Sequence, residues 1–80
     1  MPTVLAIDGY RFFFYSRENG EPPHIHVEYG EKLAKYWLDP LELATSRRFR
    51  AHELTVLRSF VMQYRDVFLE AWNDHFGTRG

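Results

Sequence analysis

The sequence predicts an α+β domain, a four-stranded antiparallel β-meander followed by a C-terminal amphipathic helix packed on one sheet face. Three observations predict it. The two-residue turn signals Asp8-Gly9 and Gly30-Glu31 each lie between runs that read as strands. From Leu54 to Trp72, apolar residues then recur at spacings of three and four, the period of a helix. The chain's 80 residues are enough for one hydrophobic core and too few for two, so residues 1–80 form a single domain.

The first strand is the short apolar, β-branched run Thr3 to Ile7, closed by Asp8-Gly9, and the second is the aromatic run Tyr10 to Ser16. Arg17 to Pro23 contains Asn19-Gly20 and a proline pair and reads as a loop. Pro22 and Pro23 cannot donate to a ladder, so they lead the chain in extended form into the next strand.

His24 to Tyr29 and Lys32 to Asp39 alternate around Gly30-Glu31, where a Gly-first type II′ turn fits. Counting outward from that turn pairs Tyr29 with Lys32, Val27 with Ala34 and Ile25 with Tyr36 on a mostly apolar face. The other face pairs Glu28 with Leu33, His26 with Lys35 and His24 with Trp37, and Asp39 follows. A slip of one residue exchanges the two faces, so the assignment depends on the turn.

Asp39-Pro40 interrupts the strand. Leu41 to Thr45 is compatible with either a short edge strand or a turn of helix, and Ser46 to Arg50 reads as a basic connector. The helical stripe begins near Ala51 and runs through Leu54, Leu57, Val61, Tyr64, Phe68 and Trp72. A continuous helix to Phe76 would be about 39 Å long at about 1.5 Å per residue, more than short strands can cover, so a break or bend is expected near Tyr64 to Asp66. Gly77 suits a left-handed helix end, whereas no good N-cap precedes Ala51.

Composition narrows the function. Ten Lys and Arg against 11 Asp and Glu give a net charge of -1, which argues against binding duplex nucleic acid by bulk electrostatics. Aromatic residues make up 18% of the chain, enough either for a very aromatic core or for a ring-rich surface. The absence of cysteine removes disulfides, thiolate metal sites and cysteine nucleophiles. No segment approaches the length of a membrane span, so a cytoplasmic protein with no membrane partner is expected.

His24 and His26, two apart on a strand, point the same way and Glu28 continues their row, a start for a zinc, iron or manganese site. None of the remaining candidates, Asp39, His52 and His75, completes it at a metal-like spacing. No metal or other cofactor is therefore expected. His26 opposite Lys35 would have a lowered pKa and serve as a neutral base, yet no nucleophile or phosphate loop accompanies it, and the chain reads as a non-enzyme. With Tyr10, Phe12 and Phe14 toward the helix, Arg11, Phe13 and Tyr15 join the polar face. The candidate binding face thus comprises Arg11, Tyr15, His24, His26, Glu28, Lys35, Trp37 and Asp39. Rings interleaved with cations suit single-stranded nucleic acid, while a second core or a homodimer contact would use the same rings.

Met1-Pro-Thr-Val, Tyr10-Arg-Phe-Phe-Phe-Tyr-Ser, Glu21-Pro-Pro-His-Ile-His-Val, Ala34-Lys-Tyr-Trp-Leu-Asp-Pro and Phe68-Leu-Glu-Ala-Trp-Asn resemble a family of small bacterial proteins, domain of unknown function 4160. Between Thr45 and Arg65 the likeness is weaker, with Ser46-Arg-Arg-Phe where members often have an Asn-Arg-Gly-Phe-like turn. The resemblance implies a cytoplasmic bacterial or archaeal protein, often encoded beside a second small domain in pairs similar to toxin–antitoxin modules. It brings no assigned activity and no catalytic residue. The expectation is an interaction module for a small protein partner, with an RNA- or single-stranded nucleic-acid-binding, or cleaving, protein as the alternative.

Overall fold

The structure is a computed structural model and describes residues 3–15 and 20–77. Five strands, β1 (Thr3–Ile7), β2 (Tyr10–Phe13), β3 (His24–Tyr29), β4 (Lys32–Leu38) and β5 (Leu41–Arg47), precede two helices, α1 (Ala51–Gln63) and α2 (Arg65–Phe76). The strands form one antiparallel sheet in the order β1-β2-β3-β4-β5.

Both turn signals do what their residue types permit. Asp8 and Gly9 have φ of 51° and 86°, the pair of positive angles that a type I′ hairpin turn requires. Gly30, at φ 60°, opens the β3–β4 turn, and the pairs counted outward from it are those observed, from Tyr29↔Lys32 to His24↔Trp37. The Leu38 N–H then donates to the Pro23 carbonyl at 3.0 Å, which extends the ladder beyond His24.

The expected four-stranded sheet is corrected by β5. Leu41–Arg47 is a seven-residue strand, so Ser46 and Arg47 belong to the sheet and not to a connector. Its pairing with β4 shifts register between Lys35 and Tyr36, because Lys35 opposes Thr45 while Tyr36 opposes Leu43, leaving Ala44 as an extra residue. That bulge breaks the alternation by which a strand is recognised. β2 is shorter than the aromatic run, since Phe14 and Tyr15 leave the ladder. Ser16 and the loop residues Arg17 to Asn19 fall outside the described residues.

Phe12, Ile25, Val27, Ala34, Tyr36 and Leu38 form one buried cluster with Phe14 and with Leu57, Val61, Phe68 and Trp72 of the helices. The sheet members of this cluster are the apolar alternation set of β2, β3 and β4. Phe12 stacks on Phe68 with centroids 5.2 Å apart. Each fully buried large side chain contributes on the order of 1.5–3 kcal/mol of transfer free energy. Tyr36 also donates its hydroxyl to the Leu54 carbonyl at 3.0 Å, and burial raises its phenol pKa, opposed by the Arg58 charge.

The helix divides where the length argument places a break. Tyr64, with φ -105° and ψ 16°, separates α1 from α2 without Gly or Pro. Arg65 holds this junction to the sheet, since its Nε donates to the Leu38 carbonyl at 2.5 Å and its guanidinium lies 3.2 Å from Asp39 Oδ1. Arg50 caps α1 with extended backbone, and its N–H donates to Glu53 Oε1 at 2.8 Å. Glu53 also accepts from Lys32. The Lys32 ammonium first, and the Arg50 N–H second, hold the Glu53 carboxyl below its usual pKa. Gly77 ends α2 in the left-handed region at φ 64°. Among the described residues no helix is long and apolar enough to cross a membrane.

Candidate functional site

The second alternation set of the sheet places three cross-strand rows on one face. Arg11, Glu28, Leu33 and Arg47 form one row across β2, β3, β4 and β5, and Phe13, His26, Lys35 and Thr45 form the next. His24, Trp37 and Glu42 form the third. Tyr15, two residues beyond the end of the β2 ladder, folds its ring edge-on against His26 at 4.8 Å.

The rings make a continuous layer. Phe13 stacks on His26 at 5.3 Å with 23° between planes, and Tyr15 meets Phe13 edge-on at 5.5 Å. His24 meets His26 at 5.1 Å and Trp37 at 5.5 Å, both edge-on. The centre of the layer is buried, with Phe13 2% and His26 8% exposed, whereas Tyr15 at its margin is 43% exposed.

Two cations lie over rings at the margins of the layer, and each is paired with a carboxylate. Arg11 lies over the Phe13 ring at 4.4 Å and bonds Glu28 Oε1 at 2.6 Å. Lys35 lies over Trp37 at 4.5 Å and bonds Glu21 Oε1 at 2.6 Å. Although Lys35 opposes His26 in register, its ammonium is therefore turned to Glu21 and Trp37. Such exposed pairs add little stability, roughly 0–1 kcal/mol each; their effect is to fix the long side chains in place.

His24 does not belong to the accessible surface. It is fully buried, its ring lying 4.7 Å from that of Trp72 in α2, so it joins the sheet face to the core. Its Nδ1 lies 3.0 Å from the Pro22 carbonyl, which can only accept, so this nitrogen carries the proton. Among the described residues no group of three or more His, Asp or Glu is arranged to hold a metal ion.

Of the eight candidate residues, Arg11, Tyr15, His26, Glu28, Lys35 and Trp37 are gathered on this face. His24 lies beneath them. Asp39 is drawn away, because the chain turns after Leu38 and its carboxylate pairs with Arg65. Sequence reasoning missed Glu21, which reaches Lys35 from the loop before β3, and Arg47, which the β5 bulge brings onto the face. Glu21 had no signal beyond its place before a proline pair, and Arg47 had none either, because a strand reading of Leu41–Arg47 with unbroken alternation puts it on the other face.

A small α+β domain whose sheet carries a ring layer edged by ion pairs is thus the class that the fold and face define. The chain belongs to the family described as Domain of unknown function (DUF4160), whose model matches residues 9–73. That match contains every residue of the face described above. Comparison with curated proteins and with solved structures finds no match.

Proposed function

We propose that this protein is a non-enzymatic interaction module of the cytoplasm, binding a small protein partner through the second face of the sheet, where Tyr15 is exposed and Trp37 half-buried over the buried rings of Phe13 and His26. One observation carries the reading: a ring centre of Phe13, Tyr15, His26 and Trp37 edged by the pairs Arg11–Glu28 and Lys35–Glu21. Aromatic residues and Arg at the centre of a patch with a polar rim are the anatomy of protein interfaces. The partner is the product of an adjacent small gene, the two forming a toxin–antitoxin-like pair.

The two edges of the sheet suit a partner less well than the face does. Both edge strands, β1 and β5, carry a register irregularity, a device that keeps an open edge from pairing with another chain. General acid–base chemistry is disfavoured because His26, the candidate base, is buried, its ring packed against those of Phe13 and Tyr15. Phosphate binding is disfavoured because Arg11 and Lys35 would each have to give up a carboxylate.

Co-expression with the adjacent small gene product, followed by pull-down and calorimetry, tests the reading. A complex is expected whose affinity falls at least about tenfold in Trp37→Ala and in Tyr15→Ala, as for aromatic hot spots. No complex at micromolar concentration would overturn it. So would tight, steeply salt-dependent binding of a single-stranded RNA oligonucleotide that needs Lys35 and Trp37.

A further inference from the structure

We infer that the groove between the β3–β4 turn and the end of β5 receives an acidic side chain of a protein partner, with Arg47 as its anchor; this rests on the protein-binding reading above. The argument begins with the row Arg11, Glu28, Leu33, Arg47, in which each residue faces the next across the sheet. Glu28 is already held by Arg11 at 2.6 Å. Leu33, the next member, offers no charge. Arg47 has no acidic partner among the described residues, whereas Arg11, Lys32, Lys35, Arg48 and Arg65 each have one.

The backbone is arranged to put Arg47 there. In unbroken register Lys35 would oppose Ala44, Leu33 would oppose Ser46, and Arg47 would fall on the opposite face. The extra residue at Ala44 moves Ser46 opposite Ala34 and Arg47 opposite Leu33, the re-aiming of a side chain for which bulges near sites are known. The next residue, Arg48, adopts the left-handed region at φ 70°, uncommon outside glycine, and its guanidinium reaches Glu31 at 3.3 Å. Two successive arginines thus have different assignments, one to Glu31 and one to nothing within the described chain.

Space accompanies the unpaired charge. A concavity of about 360 Å³ is lined by Glu28, Glu31, Leu33 and Arg47 among others, and one of about 290 Å³ lies between Leu33, Thr45 and Arg47. A guanidinium presents a planar fork that binds a carboxylate through two parallel hydrogen bonds, and Leu33 supplies an apolar floor for the aliphatic stem behind it. A nucleic-acid strand would bring consecutive phosphates against Glu28 and Glu31. A single carboxylate on a protein segment can meet Arg47 from the smaller concavity, whose lining of Leu33, Thr45, Ser46 and Arg47 contains no acid.

The test is titration of ¹⁵N-labelled full-length protein with the acetylated, amidated tetrapeptide Leu-Asp-Glu-Leu, with Leu-Asn-Gln-Leu as the uncharged control. Shifts confined to the Leu33, Ser46 and Arg47 amides and the Arg47 side-chain N–H are expected, saturating in the millimolar range. The control peptide should bind at least tenfold more weakly, as should Arg47→Ala and Arg47→Gln protein, while Met62→Ala protein, altered at an exposed side chain of α1, binds as before. Because Arg47 is exposed, the rest of each variant's spectrum should be unchanged, which certifies its fold. Absent or scattered shifts, equal binding by the Arg47 variants, or equal shifts with inorganic phosphate would overturn the inference. In the co-expressed complex, affinity lost in Trp37→Ala but untouched in Arg47→Gln would sink this inference alone. Failure of the complex with the peptide response intact would sink only the earlier reading.

Discussion

Replacing His24 with alanine separates a structural histidine from a functional one. The ring is fully buried and touches the rings of Trp72, His26 and Trp37, and its Nδ1–H donates to the Pro22 carbonyl. Truncating a buried aromatic residue costs roughly 3–5 kcal/mol; an imidazole is smaller, so about 2–3 kcal/mol is expected from packing. Losing the hydrogen bond adds about 1 kcal/mol. Against a total stability of about 4–12 kcal/mol, the range for 80 residues, a loss of about 3–4 kcal/mol is severe and corresponds to a melting temperature lower by roughly 12–32 °C. Urea and thermal unfolding followed by tryptophan fluorescence measure it, and both Trp37 and Trp72 report directly because both touch the ring. Tyr15→Ala, at a side chain nearly half exposed, should cost less than about 1 kcal/mol. A His24→Ala protein as stable as the parent to within about 0.5 kcal/mol would refute the assignment of this residue to the core.

Three further predictions concern the frame that holds the face. Glu53 has a lowered pKa in the fold, so its contribution is present above the ordinary value of 4.5 and is lost as pH falls through the depressed one; urea midpoints of the parent and Glu53→Gln should differ at pH 7 and converge at low pH. Tyr36 has a raised pKa, so its contribution is present below the ordinary value of 10.0 and is lost as pH rises through the raised one. Tyr36→Phe should lose about 0.5–1.5 kcal/mol at neutral pH with the hydrogen bond to Leu54, and should show a flatter alkaline decline in stability. Gly9→Ala would set a Cβ 2.9 Å from the Tyr29 ring at a φ of 86°, and should lower stability by about 1–2 kcal/mol in a thermal-shift assay.

The hairpin was legible in the sequence because its turn leaves one register. Gly30 fixes the count, and an alternation with Ile25, Val27, Ala34 and Tyr36 on one side tolerates no slip, so all six pairs follow. The break at Tyr64 was legible from length alone. Burial of His24 was not, because strand alternation assigns a side but says nothing of what reaches it, and Trp72 arrives from the last helix. The pairing of Lys35 with Glu21 was equally hidden, since it depends on where a proline-rich loop places a carboxylate.

β5 was illegible for a reason that also bears on what the protein does. Leu41-Glu-Leu-Ala-Thr-Ser-Arg alternates only if Ala44 is set aside, and nothing in the sequence says to set it aside. Once the bulge is known, three properties follow from the one extra residue. It spoils the period by which the strand would have been recognised, it irregularises an edge that would otherwise pair with other chains, and it carries Arg47 to the face where Arg11 and Lys35 already stand. Those two cations hold the ring layer in shape because each has its own carboxylate. Arg47 has none among the described residues, so a carboxylate brought to it would break neither of these pairs. The same bulge that discourages pairing along the edge thus favours contact across the face.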